Sequence, residues 1–386
     1  MKVFITTDWH FGVYLNNLDK WLDMMEDYFY NSFIPYIKEN AKPGDILIHC
    51  GDLYDNRTSI PIIASYKAEK ILLELSEILP LHIIVGNHDL WNKGSNDINS
   101  VRLFNHVKNV SVYTNTTIIE ANGQKLVLMP WIEKRLNMIK DINENPGDYL
   151  FCHSDLNGCK MHLNSVAHRN ADKIDVEDFG KYKHVFSGHI HIRQTNKNFS
   201  FIGSPYQMDR NDMGDQKGIT ILDLNTHKID FVPNTYSPVF RKFRVTNEDD
   251  IDKLDELRGT KDYIDLAISN NLLINNRKLR RKLEVMLEKG NFASVEYIDD
   301  ITKELVDGEE VNESLEVEFD ENGMEISVQL EYEDYIKEYI LKQKYDNDKF
   351  KSGVISEFDE VIKIYNENYT VKSEYIKNPS LRWVFY

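Results

Sequence analysis

The stretch Leu81-His82-Ile83-Ile84-Val85-Gly86-Asn87-His88-Asp89 decides how the fold is read. Its first five residues make an apolar run of strand length, and Gly86 breaks that run just before an amide, an imidazole and a carboxylate. A buried strand that delivers polar side chains at its carboxyl end is the way open α/β sheets build ligand sites. The pattern recurs elsewhere in the chain. Val3 to Thr7 leads into Asp8-Trp9-His10, Ile46 to Cys50 into Gly51-Asp52, Tyr149 to Cys152 into His153, and His184 to Ser187 into Gly188-His189-Ile190-His191. Lys125 to Met129, Phe199 to Ile202 and Gly218 to Leu222 are further strand-like runs. Between the first two strands, Trp21, Leu22, Met25, Phe29, Phe33, Ile34 and Ile37 recur at helical spacing and predict a helix with one buried face. Residues 1–240 therefore read as an α/β layered domain.

Five strand ends carrying polar motifs predict a single cluster, although as many as 183 positions separate its members. The residue types suit a pair of divalent metal ions. Asp8 and His10, two apart in extended chain, project to one side, and so do His189 and His191. Asp52 offers a carboxylate that can bridge two ions, Asn87 a neutral oxygen and His153 another imidazole. A mixed nitrogen and oxygen set without thiolate suits manganese, iron or zinc. Gly51, Gly86 and Gly188 are expected to let the backbone turn tightly as it leaves the sheet. Among the twelve histidines, His49, His82, His106, His162, His168, His184 and His227 read as ordinary core or surface residues.

Composition bounds the rest. A chain of 386 residues with 41% hydrophobic and 28% charged residues is long enough for two or three domains with a sizeable core. No apolar run approaches the length of about 18 residues that spans a bilayer, so a cytoplasmic protein without membrane contact is expected. The three cysteines, Cys50, Cys152 and Cys159, fit neither a disulfide framework nor a metal knuckle and read as reduced thiols. A net charge of −17 speaks against a nucleic-acid partner until it is partitioned. Residues 1–240 hold 24 basic and 29 acidic side chains, whereas residues 241–386 hold 22 and 34. The acidity thus lies mainly in the C-terminal third.

That third divides again. Residues 241–300 read as a small βαβ cap, with a strand over Tyr263 to Ile268, a helix over about Asn276 to Lys289 and a strand over Ala293 to Ile298. Residues 301–330 form an acidic linker; from Lys303 to Asp334 there are 13 acidic residues and one basic residue. Residues 331–386 hold two amphipathic helices, one with Tyr332, Tyr335, Ile336, Tyr339 and Ile340 on a face, the other with Ile355, Phe358, Val361, Ile362 and Tyr365. They are the expected partner-binding module. No GxxxxGK[ST] phosphate loop is present, so any ATP dependence must come from a partner.

The ordered set of DxH, GD, GNHD, H and GHxH resembles the calcineurin-like metallophosphoesterase superfamily, whose fold is a two-layered β-sandwich flanked by helices. Within it, the opening Thr7-Asp8-Trp9-His10-Phe11-Gly12, the run Gly51-Asp52-Leu53-Tyr54-Asp55 and Gly203-Ser204-Pro205 resemble the SbcD-type DNA-repair nucleases, phage recombination endonuclease subunits included. The resemblance covers about residues 1–235. It implies one metal between Asp8, His10, Asp52 and His191, and another between Asp52, Asn87, His153 and His189. It leaves His88 facing the scissile phosphate, with Asp89 as its orienting partner. Archaeal and eukaryotic relatives have a second phosphate-facing histidine three positions after the bridging Asp; Asp55 stands there in this chain and is expected to be structural.

The function so implied is a manganese-dependent DNA exonuclease and endonuclease of repair and recombination, a homodimer working with an SbcC-type coiled-coil ATPase. Lys134, Arg135, Arg241, Lys242, Arg244 and the cluster Arg277, Lys278, Arg280, Arg281, Lys282 read either as contacts to the DNA backbone or as ordinary solvated surface. Two other functions stay open at this stage. A phosphomonoesterase or cyclic-nucleotide phosphodiesterase would share every ligand, and a non-catalytic scaffold would use the fold only as a surface.

Overall fold

A computed structural model describes residues 1–298, apart from 14–16, 93, 164, 166–169, 171–172, 259, 270–276 and 290–291. The acidic linker and the two C-terminal amphipathic helices expected from the sequence lie outside the described residues.

Two six-stranded sheets face each other. The first runs, in spatial order, Lys228–Pro233, Gly218–Asp223, Lys2–Thr6, Ile46–His49, Leu81–Ile84 and Val110–Tyr113, with the last four mutually parallel. The second runs Gln194–Asn196, Phe199–Phe201, His184–Gly188, Tyr149–His153, Gln124–Met129 and Thr117–Ala121, its middle four parallel. Alternation along each strand sorts the side chains into layers. Val3, Ile5, Ile46, Ile48 and Ile84 meet Leu126, Leu128, Phe151 and Phe186 between the sheets. Phe4, Leu47, Leu81 and Ile83 point the other way, against the helices α1 (Leu18–Tyr28), α2 (Ile34–Asn40) and α3 (Ile62–Ser76). On the outer side of the second sheet, Val127, Leu150 and Val185 pack on Met138 and Ile142 of α4 (Arg135–Glu144).

The apolar stripe from Trp21 to Ile37 is not one regular helix. A π-helical turn over Phe29–Phe33 joins α1 to α2. The widened turn brings both Phe29 and Phe33 onto the Trp9 ring, with centroids 4.4 and 6.0 Å away. Trp9 is fully buried, its indole N–H donates to Thr6 Oγ1 at 2.8 Å, and its carbonyl accepts from the Tyr206 hydroxyl at 2.6 Å. Trp9 thus anchors the turn on which Asp8 and His10 sit.

The cap holds one strand and one helix more than its sequence predicts. Phe240–Val245, Tyr263–Ser269 and Phe292–Ile298 form a parallel three-stranded sheet, with α5 (Glu248–Arg258) and α6 (Arg277–Lys289) as crossovers. The extra strand is hard to recognise because Arg241, Lys242 and Arg244 interrupt its apolar positions. It lies at the sheet edge, where exposed charges are tolerated. The same reason hides the edge strands Thr117–Ala121 and Lys228–Pro233. Trp21 of α1 packs on Phe240 and Tyr263, and Arg210 pairs with Asp265, so the cap is seated on the sandwich. No helix among the described residues is long and apolar enough to cross a membrane.

Candidate metal centre

All five polar motifs emerge at the carboxyl ends of parallel strands. Asp8, Asp52 and Asn87 follow three adjacent strands of the first sheet, and His153 and His189 end or follow two adjacent strands of the second. The turns that carry them are strained. Of the eight non-glycine residues with positive φ among the described residues, four are Asp8, His10, Asp52 and His189. Such backbone persists only where the surroundings over-determine it, and it gathers at functional sites. Of the three glycines expected to turn the chain, Gly51 does adopt a left-handed φ of +95°. Gly86 and Gly188 serve close approach instead: a Cβ on Gly86 would collide with the Asp52 carboxylate, and one on Gly188 with Thr7 Oγ1.

The donor atoms fall into two groups. In the first, His10 Nε2 lies 3.1 Å from His191 Nε2, 3.7 Å from Asp8 Oδ1 and 3.8 Å from Asp52 Oδ2. In the second, His153 Nε2 lies 3.2 Å from Asp52 Oδ2 and 2.9 Å from Asn87 Oδ1, which is 2.8 Å from His189 Nδ1. Donors bound at about 2.0–2.2 Å to one ion stand roughly 3 to 3.5 Å apart; the second group is close to that spacing and the first a few tenths of an ångström wider, so both can enclose a cation with small side-chain shifts. Asp52 Oδ2 belongs to both.

The imidazoles are held in the orientation such binding needs. His153 donates Nδ1–H to the Cys50 carbonyl at 2.7 Å, which frees Nε2, and His189 has Nε2 at 3.1 Å from Asp155 Oδ1, which frees Nδ1. Electrostatics agree with the donor set. Asp8 and Asp52 are essentially without solvent exposure. Burial works against their charge, yet neighbouring histidines hold both carboxyls below their ordinary value, His10 foremost for Asp8 and His153 for Asp52. In return, and again against burial, His10 is pushed up to about 10 by Asp55 and Asp8, and His153 to about 9 by Asp52. The buried carboxylates thus stay charged against their burial, the electrostatic setting that a pair of cations would balance. The donor set fits two divalent ions.

His88 is brought to the rim of this cluster, its ring 5.0 Å from that of His10. Its Nδ1 lies 2.5 Å from the Asp55 carbonyl, and no hydrogen bond engages Nε2 among the described residues. Burial lowers its pKa. Asp89, expected to orient His88, directs its carboxylate to main-chain N–H groups of Asp52, Leu53, Tyr54 and Gly86.

Three neighbours of the site went unread in the sequence. Asp155, two residues beyond His153, repeats the i, i+2 spacing of Asp8 and His10, and that spacing could have pointed to it. Trp131 packs its ring 5.0 Å from His189 and 5.9 Å from His153 while donating Nε1–H to Glu133 at 3.0 Å. Lys217, almost fully buried, donates to the His191 carbonyl at 2.7 Å and pairs with Asp212 and Asp215. Nothing in the sequence signals the last two.

The profile of the family described as calcineurin-like phosphoesterase matches residues 1–193, half of the chain and every residue of the two donor groups. The chain belongs to that family. This phosphoesterase is a metal-dependent enzyme, and nucleases are among its relatives. It is 29% identical over 238 residues to exonuclease subunit 1 of Enterobacteria phage T4, a match that covers 61% of this chain and 68% of the phage protein. It is 24% identical over 314 residues to the SbcD component of the nuclease SbcCD from Staphylococcus epidermidis, covering 70% of this chain and 79% of that protein. The β-sandwich with flanking helices that the family resemblance implied is the fold observed.

Proposed function

We propose that the chain is a Mn2+-dependent DNA nuclease subunit that hydrolyses phosphodiester bonds in repair or recombination with an SbcC-type coiled-coil ATPase. The observation that carries this reading is the pair of donor groups sharing Asp52 Oδ2, with the His88 imidazole beside them and its Nε2 unengaged. Asp8, His10, Asp52 and His191 would hold one ion, and Asp52, Asn87, His153 and His189 the other. Such a pair polarises a phosphoryl group and lowers the pKa of the attacking water. His88 keeps Nδ1–H on the Asp55 carbonyl and presents Nε2 outward. An arriving phosphate brings the negative charge that favours the imidazolium, and Nε2–H then donates to the leaving oxygen.

The relatives' names, an exonuclease subunit and a subunit of a nuclease, support a nucleic-acid substrate and a multi-subunit assembly. Of the basic residues considered for the DNA backbone, Arg135 is paired with Asp175 and Asp178, Arg241 with Asp262 and Lys282 with Asp252. Lys134 is exposed, and no ion pair engages it among the described residues. Lys242 and Arg281 are likewise exposed without an ion pair among the described residues, so these three are the candidates for a phosphate contact. Residues 331–386 would dock the ATPase, and the segment Ser100–His106, where Leu103 is 75% exposed, would contribute to a homodimer contact.

The deciding experiment supplies the purified chain with Mn2+ and offers linear duplex DNA beside p-nitrophenyl phosphate. Cleavage of DNA that EDTA abolishes is the expected result. Turnover of the monoester without DNA cleavage would establish a phosphomonoesterase, and tight Mn2+ binding without any turnover a scaffold.

A further inference from the structure

Asp55 stands where two functional imidazoles meet. Beyond the ends of the paired strands Lys2–Thr6 and Ile46–His49 the two chains stay zipped: Asp8 N–H donates to Gly51 O, His10 N–H to Asp52 O, Phe11 N–H to Leu53 O and Asp55 N–H to Phe11 O. This ladder places Asp55 beside His10 and His88. Its carboxylate Oδ1 lies 3.1 Å from His10 Nδ1, and its main-chain carbonyl lies 2.5 Å from His88 Nδ1. The His10 and His88 rings touch edge to face, with an interplanar angle of 77°.

The side chains of His10, Asp55 and His88 also have ligand atoms within 4.8 Å of one another, so a third cation is the competing explanation. The geometry favours hydrogen bonds. His88 Nδ1 is taken by a carbonyl oxygen rather than aimed at a shared point, and His10 has its other nitrogen turned to Asp8, Asp52 and His191.

We propose that Asp55 is a positioning residue with two separable actions, the side chain serving the metal ligand and the main chain serving the phosphate-facing imidazole. The carboxylate holds His10 with its proton on Nδ1, so that Nε2 offers its lone pair to the first ion; a carboxylate on the far nitrogen also makes the imidazole a stronger ligand. The carbonyl holds His88 with Nδ1–H inward and Nε2 outward. This assignment rests on the two-metal phosphodiesterase reading above and deepens it.

Because every substitution at position 55 keeps the carbonyl, the two actions come apart experimentally. The full-length chain and its Asp55→Ala and Asp55→Asn variants are titrated with Mn2+ by calorimetry and then assayed on bis(p-nitrophenyl) phosphate at saturating Mn2+. Loss of such a carboxylate typically weakens metal affinity about 10- to 100-fold. In Asp55→Ala that loss is expected in one of the two binding steps only, that of the ion held by Asp8, His10 and His191. Asn keeps an oxygen acceptor for His10 Nδ1–H but not the charge, so Asp55→Asn is expected to recover part of the affinity. Activity that Asp55→Ala loses at limiting Mn2+ should rise as Mn2+ is added, since His88 keeps its partner.

Two unchanged binding steps, equal weakening of both, or an Asn variant no better than Ala would overturn the assignment. A kcat that stays depressed at saturating Mn2+ with normal affinity would overturn it too, by showing that Asp55 touches the substrate. If the wild-type chain binds two Mn2+ but hydrolyses no phosphodiester, the functional reading fails, while the isotherms still decide the role of Asp55.

Discussion

The carboxylate of Asp89 accepts the main-chain N–H of Asp52 at 2.9 Å, so the fourth residue of the Gly86-Asn87-His88-Asp89 motif braces the turn that carries the carboxylate common to both donor groups. It also accepts from Gly86, Leu53 and Tyr54, and it is 1% exposed. Replacing it by Ala would strand four buried N–H groups. At about 1–3 kcal/mol for each unsatisfied group, partly relieved by relaxation, Asp89→Ala should cost on the order of 3–5 kcal/mol in urea unfolding. Asp89→Asn keeps one acceptor oxygen for one pair of N–H groups but turns its NH2 toward the other pair, so it should recover only part of that cost. A loss below about 1 kcal/mol for the Ala variant would show that the turn stands without this brace.

His88→Ala should leave the occupancy of both metal sites close to normal, since neither donor group includes that ring. Phosphodiesterase activity should fall about 10²- to 10⁴-fold, the usual weight of a general acid. Asp52→Ala should lose both, because Asp52 Oδ2 sits within reach of His10 and of His153. Metal analysis by mass spectrometry beside a plasmid-linearisation assay separates the two. Activity of His88→Ala within a few-fold of wild type would remove His88 from the mechanism.

Stability should fall on mild acidification for a reason unconnected with the metals. Burial lowers His82 and His184 from 6.5 to about 4. His82 is hydrogen-bonded to the Tyr113 hydroxyl at 2.7 Å, and His184 to Ser200 Oγ at 2.9 Å. A histidine whose folded pKa is depressed costs nothing above pH 6.5, where both states are neutral; below it the unfolded chain takes up the proton first. Stability is therefore lost as pH falls from 6.5 to about 4 and levels off below. Urea melts of the metal-free chain between pH 7.5 and 4.5 should show that slope, and a His82→Gln, His184→Gln double variant should flatten it. An unchanged slope would assign the acid sensitivity to other groups.

Deletion of residues 331–386 should preserve folding and Mn2+-dependent cleavage of simple DNA, because every donor lies before residue 192 and the acidic composition between Lys303 and Asp334 discourages packing. Co-purification with the proposed coiled-coil ATPase, and any stimulation by ATP, should disappear. Unfolding of the truncated chain, or loss of its metals, would show that the deleted segment supports the catalytic domain instead.

The sequence by itself marked an α/β layered domain, the strands that lead into the site and the seven polar residues at their ends, while the two-layered sandwich and the grouping of those residues came from the family resemblance. What the sequence marked is a local matter. An apolar run followed by glycine and a polar residue states where a strand ends and what it delivers, and residues two apart in extended chain share a side whatever surrounds them. Edge strands such as Lys228–Pro233 and Phe240–Val245 escaped because their exposure lets charge interrupt the alternation.

Only the tertiary structure decided the partners. Whether Asp89 turns to His88 beside it or to the N–H of Asp52, 37 positions earlier, depends on two neighbouring strands lying side by side. Asp55 at His10, Asp155 at His189, Trp131 against His153 and Lys217 on the His191 carbonyl likewise join segments far apart in the chain. A side chain's type fixes which bonds it can make. Which of the available groups comes within 3 Å is set by how the sheets and their connecting turns pack, and no local pattern records that distance.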